Sequence, residues 1–144
     1  MKLPTVLVPR PVRRKSWVMP FVRISVKGGT PPAVRVAIGD AVHQAMVETI
    51  NVPAADRFQV ITEHPAEELI IDRTYLGIER SADCVLIQVF LNEGRTTELK
   101  KAFYRAIADG LHQRLGLRKQ DVFIALVEVK KENWSFGNGV AQYA

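Results

Sequence analysis

Hydrophobic positions along this chain change period twice, and the second series copies the first. From Phe21 to Val26 apolar and polar residues alternate, the signature of a strand packed on one face. Val34, Ile38, Ala41, Val42, Ala45 and Thr49 then recur at helical spacing. Thr30 is the expected N-cap, with Pro31 at the first helical position, where its missing N–H costs nothing. Phe58–Thr62 reads as the return strand. In the second series Val85–Leu91 is a strand, and Thr96 or Thr97 caps a helix carrying Leu99, Phe103, Ala106, Ile107, Gly110 and Leu111. Gly116 stops that helix, and Val122–Val129 is the last long strand. Residues 64–82 join the two series, with short strand character at Leu69–Ile71. Lys130–Asn133 makes a polar turn, and Asn138-Gly139 signals a tight one.

One constant offset places Gly29 on Gly94, Ala37 on Ala102, Ala41 on Ala106, Val42 on Ile107 and Met46 on Leu111. The same offset places Asp56 on Asp121 and Phe58 on Phe123. A long helix between two strands is a crossover, so the strands of each unit are expected to be parallel. Two such units predict an α/β (α+β) fold, a tandem duplication of β-α-β units forming a four-stranded sheet with both helices on one face. The runs Val85–Leu91 and Val122–Val127 are almost continuously apolar, as in strands buried on both sides. Two helices cover only one side, so the other is expected to meet further copies of the chain.

The net charge of +5 suggests an affinity for nucleic acid until it is located. Lys2, Arg10, Arg13, Arg14 and Lys15 lie in residues 1–18, which contain no acid; the remaining 15 basic and 15 acidic residues balance. A nucleic-acid reader carries its basic patch on the folded body, so neither nucleic acid nor a membrane is an expected partner. Residues 1–18 form an extension with prolines at 4, 9 and 11, which disfavour a regular helix. A mis-assigned start or a tag explains it as well as a transit peptide does. The single domain is expected over 19–144, with repeats at 20–63 and 84–129 and a C-terminal arm at 130–144. The lone Cys84 sits in an apolar run and reads as a small core residue. With no second thiol to pair it, the fold does not depend on an oxidising compartment, and a cytoplasmic location is expected.

The usual signatures of chemistry are missing. No phosphate loop or dinucleotide fingerprint precedes either helix, and His43, His64 and His112 lack metal-ligand spacing, so no cofactor or metal is expected. What remains is Met19-Pro20 immediately before an alternating strand and a duplicated strand–helix–strand unit. Added to it are Val52-Pro53-Ala54-Ala55-Asp56-Arg57-Phe58-Gln59, Leu76-Gly77-Ile78-Glu79-Arg80-Ser81 and Arg95. Asp121–Glu128 and Trp134-Ser135-Phe136-Gly137 complete the set. Together these resemble the tautomerase superfamily, within it the group containing malonate semialdehyde decarboxylase, over nearly all of residues 19–144.

The resemblance implies a homotrimer with sheets inward and helices outside. It also implies an enzyme isomerising a small carboxylate-bearing keto or enol acid through an N-terminal proline, here Pro20. A free proline is a secondary amine; α-amino groups titrate near pH 8, and burial lowers that value, leaving a base at neutral pH. The resemblance makes Arg95 the anchor of the substrate carboxylate and Asp56 an assisting acid. Trp134 and Phe136 become pocket walls, and Arg57 and Arg80 secondary anion contacts. The decarboxylase pairs its arginine with a second one whose place is held here by Glu93, which favours tautomerisation over decarboxylation or hydration. While Met19 remains attached, the nitrogen of Pro20 is a tertiary amide without basicity. A chain retaining its extension is expected to be an inert trimeric binding scaffold instead.

Overall fold

The computed structural model describes residues 20–144; the expectations for the 1–18 extension and for Met19 lie outside them. Strand β1 (Phe21–Lys27) leads into helix α1 (Pro32–Thr49) and strand β2 (Phe58–His64). Strand β3 (Val85–Asn92), helix α2 (Thr97–Leu115) and strand β4 (Val122–Val129) repeat the series. The sheet order is β2-β1-β3-β4. Within each unit the strands are parallel, as the crossover length requires, and the units join through antiparallel β1 and β3.

The sequence repeat is visible in the register. Phe21 faces Phe58 across β1–β2, and Leu86 faces Phe123 across β3–β4. On the seam Phe21 pairs Phe90 while Ser25 pairs Leu86, and Arg23 pairs Gln88, its own counterpart. The two units are therefore related by a pseudo-two-fold axis passing between Arg23 and Gln88.

Val22, Ile24 and Val26 point from β1 to the helices, joined by Ile87, Val89 and Leu91 from β3. Against them lie Ile38, Val42 and Met46 of α1 and their counterparts Phe103, Ile107 and Leu111 of α2, all essentially inaccessible. Burying each such side chain stabilises by about 1.5–3 kcal/mol. The helices approach each other over small residues: a Cβ on Gly110 would lie 3.7 Å from that of Ala41. Cys84 belongs to the interior, and burial raises its thiol pKa, followed by the charge of Asp121. The opposite face is open, with Phe58 at 53%, Val60 at 43% and Phe123 at 45% exposure. The apolar runs of β3 and β4 thus have one face buried within the chain and one left uncovered by it.

Two local expectations are corrected. Thr30 does not cap α1: Pro31 is the N-cap, and the Thr30 hydroxyl donates to the carbonyl of Lys27, closing the turn after β1. The reason is Pro32, whose ring drives the preceding residue out of the helical region, so α1 begins one residue later. Leu69–Ile71 is not a strand; it lies between single 3-10 turns at Ala66–Glu68 and Tyr75–Gly77, with Ile70 exposed. At α2 the hydroxyl of Thr96 accepts from the N–H of Leu99, and Gly116 takes the left-handed conformation that ends the helix.

The two aspartates at equivalent positions have parted. Asp121 is buried and accepts from the N–H and hydroxyl of Ser81, pinning the entry to β3, whereas Asp56 is half-exposed. Asp121→Ala is expected to cost about 1–3 kcal/mol by orphaning these donors. Asp56→Ala should stay within about 0.5 kcal/mol; urea denaturation of both variants checks the contrast.

Candidate active site

Because β1 runs antiparallel to β3 and parallel to β2, its first residue meets the start of β2 and the end of β3. Pro20 therefore sits, buried, at the end of the sheet where Asp56 precedes β2, Arg95 follows β3 and the C-terminal arm follows β4. A cavity of about 220 Å³ opens there, lined by Pro20, Phe21, Phe58, Trp134, Ser135 and Phe136. The Trp134 and Phe136 rings stack with centroids 5.3 Å apart, and Tyr143 meets Phe136 edge-on at 4.7 Å. Gln142 locks the arm by accepting from the N–H of Phe136 and donating to the carbonyl of Gly137. Asn138 and Gly139, both with positive φ, form the expected tight turn.

Arg95 and Asp56 flank this cavity without lining it. The guanidinium of Arg95 is half-buried and donates to the carbonyl of Asn92 at 2.8 Å. Burial pulls its pKa below the ordinary value, partly offset by the charge of Glu128. Glu128 is itself held below the usual carboxylate range, first by a hydrogen bond from Lys100 and further by the Gly94 N–H and the Arg95 charge. Asp56 sits on a short loop fixed from below by α1, where His43 Nε2 donates to the carbonyl of Ala54 at 2.8 Å.

Two of the expected contacts lie elsewhere. Arg57 turns to the helix side, where it pairs with Asp40 at 2.8 Å and donates to Gln59. Strand alternation dictates this: Phe58 occupies the cavity side, so its neighbour faces α1. Arg80 precedes β3 and therefore stands at the opposite end of the sheet, donating to the carbonyls of Asp72, Tyr75 and Ile78. His64 closes β2 at that same far end. Among the described residues no group of three or more His, Cys, Asp and Glu side chains is placed to hold a metal ion.

The structure adds Asn92 and Tyr143. Asn92 is 5% exposed, accepts from Trp134 Nε1 at 2.6 Å, and offers its carbonyl to Arg95, so one residue orients both wall and cation. Its signal in sequence is a polar residue ending an apolar strand. The phenol of Tyr143 is pushed up to about 12 by burial and by the negative charge of Asp56. It thus remains a hydrogen-bond donor at every physiological pH.

A buried proline, an aromatic wall and a flanking arginine are thus brought together at one end of the sheet. Family profiles described as "Tautomerase enzyme" match residues 56–137 and residues 20–77, the latter beginning at Pro20. A probable tautomerase of Bacillus subtilis, YusQ, is 46% identical over 86% of this chain and 98% of its own length. A second, YrdN of the same organism, is 34% identical over 87% of this chain and 96% of its own. Among solved structures, the FG41 malonate semialdehyde decarboxylase inhibited by 3-bromopropiolate superposes with a TM-score of 0.79 at 42% identity. That match covers 85% of this chain and 93% of that one. The chain belongs to the tautomerase family, in the group resembling malonate semialdehyde decarboxylase, and is an enzyme of the isomerase type. Among the described residues no helix is long and apolar enough to cross a membrane.

Removing the Asn92 acceptor should release the tryptophan. In a protein beginning at Pro20, where Trp134 is the sole tryptophan, Asn92→Ala is expected to shift emission to the red and cost about 1–3 kcal/mol. Tyr143 gives a pH signature. Its folded pKa lies above the unfolded value of 10, so the stability it contributes is complete below pH 10. That contribution should be lost as pH rises from 10 to about 12, and Tyr143→Phe should flatten stability measured across this window.

Proposed function

We propose that the protein isomerises a small 2-oxo acid between its keto and enol forms, with Pro20 as the proton carrier. The observation that supports this best is a buried proline at the head of a central strand, opening into an aromatic-walled cavity. As a free secondary amine it removes a proton from the carbon beside the substrate carbonyl, leaving an enolate. It returns that proton to the enolate oxygen to give the enol, and the reverse passage gives the keto form. Arg95 draws in the carboxylate, using nitrogen donors other than the one held by Asn92. Asp56, with the Tyr143 phenol beside it, orients the carbonyl end of the substrate. Trp134 and Phe136 exclude water, which keeps the amine free of its proton at neutral pH.

Tautomerisation is preferred to decarboxylation because Glu93, an exposed carboxylate, stands next to the anion-binding segment. Similarity to an enzyme described with decarboxylase and hydratase activities, 35% identical over 85% of this chain and 95% of that one, with a TM-score of 0.79, keeps those reactions as the second reading. The chemistry requires a chain that begins at Pro20. Copies are proposed to assemble as a homotrimer over the open sheet face. A fused 4-OT whose structure is described as a symmetric trimer superposes with a TM-score of 0.68 at 28% identity, over 83% of this chain and 94% of that one.

The test follows enol-to-keto conversion of an aryl-pyruvate by absorbance. The protein beginning at Pro20 should be active, while the 144-residue form and Pro20→Ala in the shorter form should lose at least a hundredfold. In the active form kcat/KM should rise with pH as the amine deprotonates, with a midpoint below 8. Equal rates in all three proteins would refute proline catalysis.

A further inference from the structure

The duplication that builds the sheet also builds a second cavity. At the far end of the open face a shallow cleft of about 200 Å³ is lined by Ile70, Ile71, Asp72, Arg80, Leu86 and Phe123, with Tyr75 at its side. Its volume is close to the 220 Å³ at Pro20. Four wall positions correspond under the offset of the repeat. Leu86 answers to Phe21, Phe123 to Phe58, and Ile70 and Ile71 to Ser135 and Phe136. This explains why Leu69–Ile71 lies beside the sheet rather than in it: like the C-terminal arm, it walls a cavity.

The position equivalent to Pro20 is Val85, an internal strand residue whose nitrogen is a peptide amide. The second cavity therefore has walls without a base. It has instead a half-buried guanidinium. Arg80 Nη1 is held by the carbonyls of Asp72, Tyr75 and Ile78 at 3.1–3.4 Å. Among the described residues its Nε and Nη2 make no hydrogen bond. The carboxylate of Asp72 is turned to its own loop, where it accepts from the N–H of Thr74 at 2.9 Å. Arg73 donates to the carbonyl of Arg80, fixing the loop from the other side.

We propose that this cavity binds a small carboxylate-bearing molecule without converting it, with Arg80 as the anchor. The guanidinium is anchored by one nitrogen and offers the rest of its fork, the geometry that carboxylates match. The apolar walls take the remainder of a three- or four-carbon acid. The ligand class rests on the reading of the Pro20 site, so the test measures binding separately at each end.

Pyruvate is titrated into the 15N-labelled full-length chain while amide shifts are followed. Saturable shifts are expected at residues 70–80 and, on an independent curve, at Trp134 and Ser135. Arg80→Gln should weaken the first curve at least tenfold. Ile71→Trp, which fills the cavity, should abolish the first curve and leave the second intact. Shifts confined to the Trp134 end, or shifts at 70–80 that survive Ile71→Trp, would overturn the proposal. Shifts at 70–80 with none at Trp134 would uphold it and count against the Pro20 site alone.

Discussion

Everything at the candidate site follows from the antiparallel seam between β1 and β3. Parallel pairing inside each unit is dictated by crossover length, but a duplicated unit has a choice of how to meet its copy. Joining head to tail, with Arg23 opposite Gln88, brings the first residue of β1 beside the last residues of β3. That single choice delivers Pro20, Arg95 and the arm after β4 to one end of the sheet, although Pro20 and Arg95 come from different units and lie far apart along the chain. The same choice sends Arg80 to the other end. Hydrophobic burial constrains it, because a one-residue slip would put Val22, Ile24 and Val26 on the face opposite Ile87, Val89 and Leu91.

Most of the fold was legible because periodicity and repetition report it twice. Each strand and helix of one unit vouches for its counterpart, and the open face could be argued from apolar runs that two helices cannot cover. What the periods do not carry is the destination of individual polar side chains. Arg57 and Asp56 are adjacent, yet pleating sends one to Asp40 and leaves the other beside Tyr143. Thr30 has the composition of a cap and is displaced by a steric rule acting through Pro32. Asn92 and Tyr143 were missed for a related reason: each matters through a residue distant in the chain, Trp134 for one and Asp56 for the other.

The electrostatic character of the site is set by what is withheld from water. Burial lowers the pKa of Arg95 and raises that of Tyr143, while the hydrogen bond from Lys100 lowers that of Glu128. Donors from Arg95 and Tyr143 thus stand near the cavity, and the Glu128 carboxylate is engaged by Lys100. Such a surrounding favours an incoming anion and the development of negative charge on an enol oxygen.

The equivalence of the two units under one offset has a consequence for chain order. A circularly permuted molecule that began at Val85 and ran through the first unit last would present the same strands, the same seam and the same helical layer. Its free terminus, however, would be the primary amine of a valine beside the other cavity, and the nitrogen of Pro20 would be an interior tertiary amide. A primary amine condenses with a ketone through an iminium that can lose its N–H proton to a neutral imine. The iminium of a secondary amine such as proline has no N–H and sheds its charge only by losing a proton from carbon. The sheet is indifferent to which half is translated first; the kind of amine at the start of the chain is not.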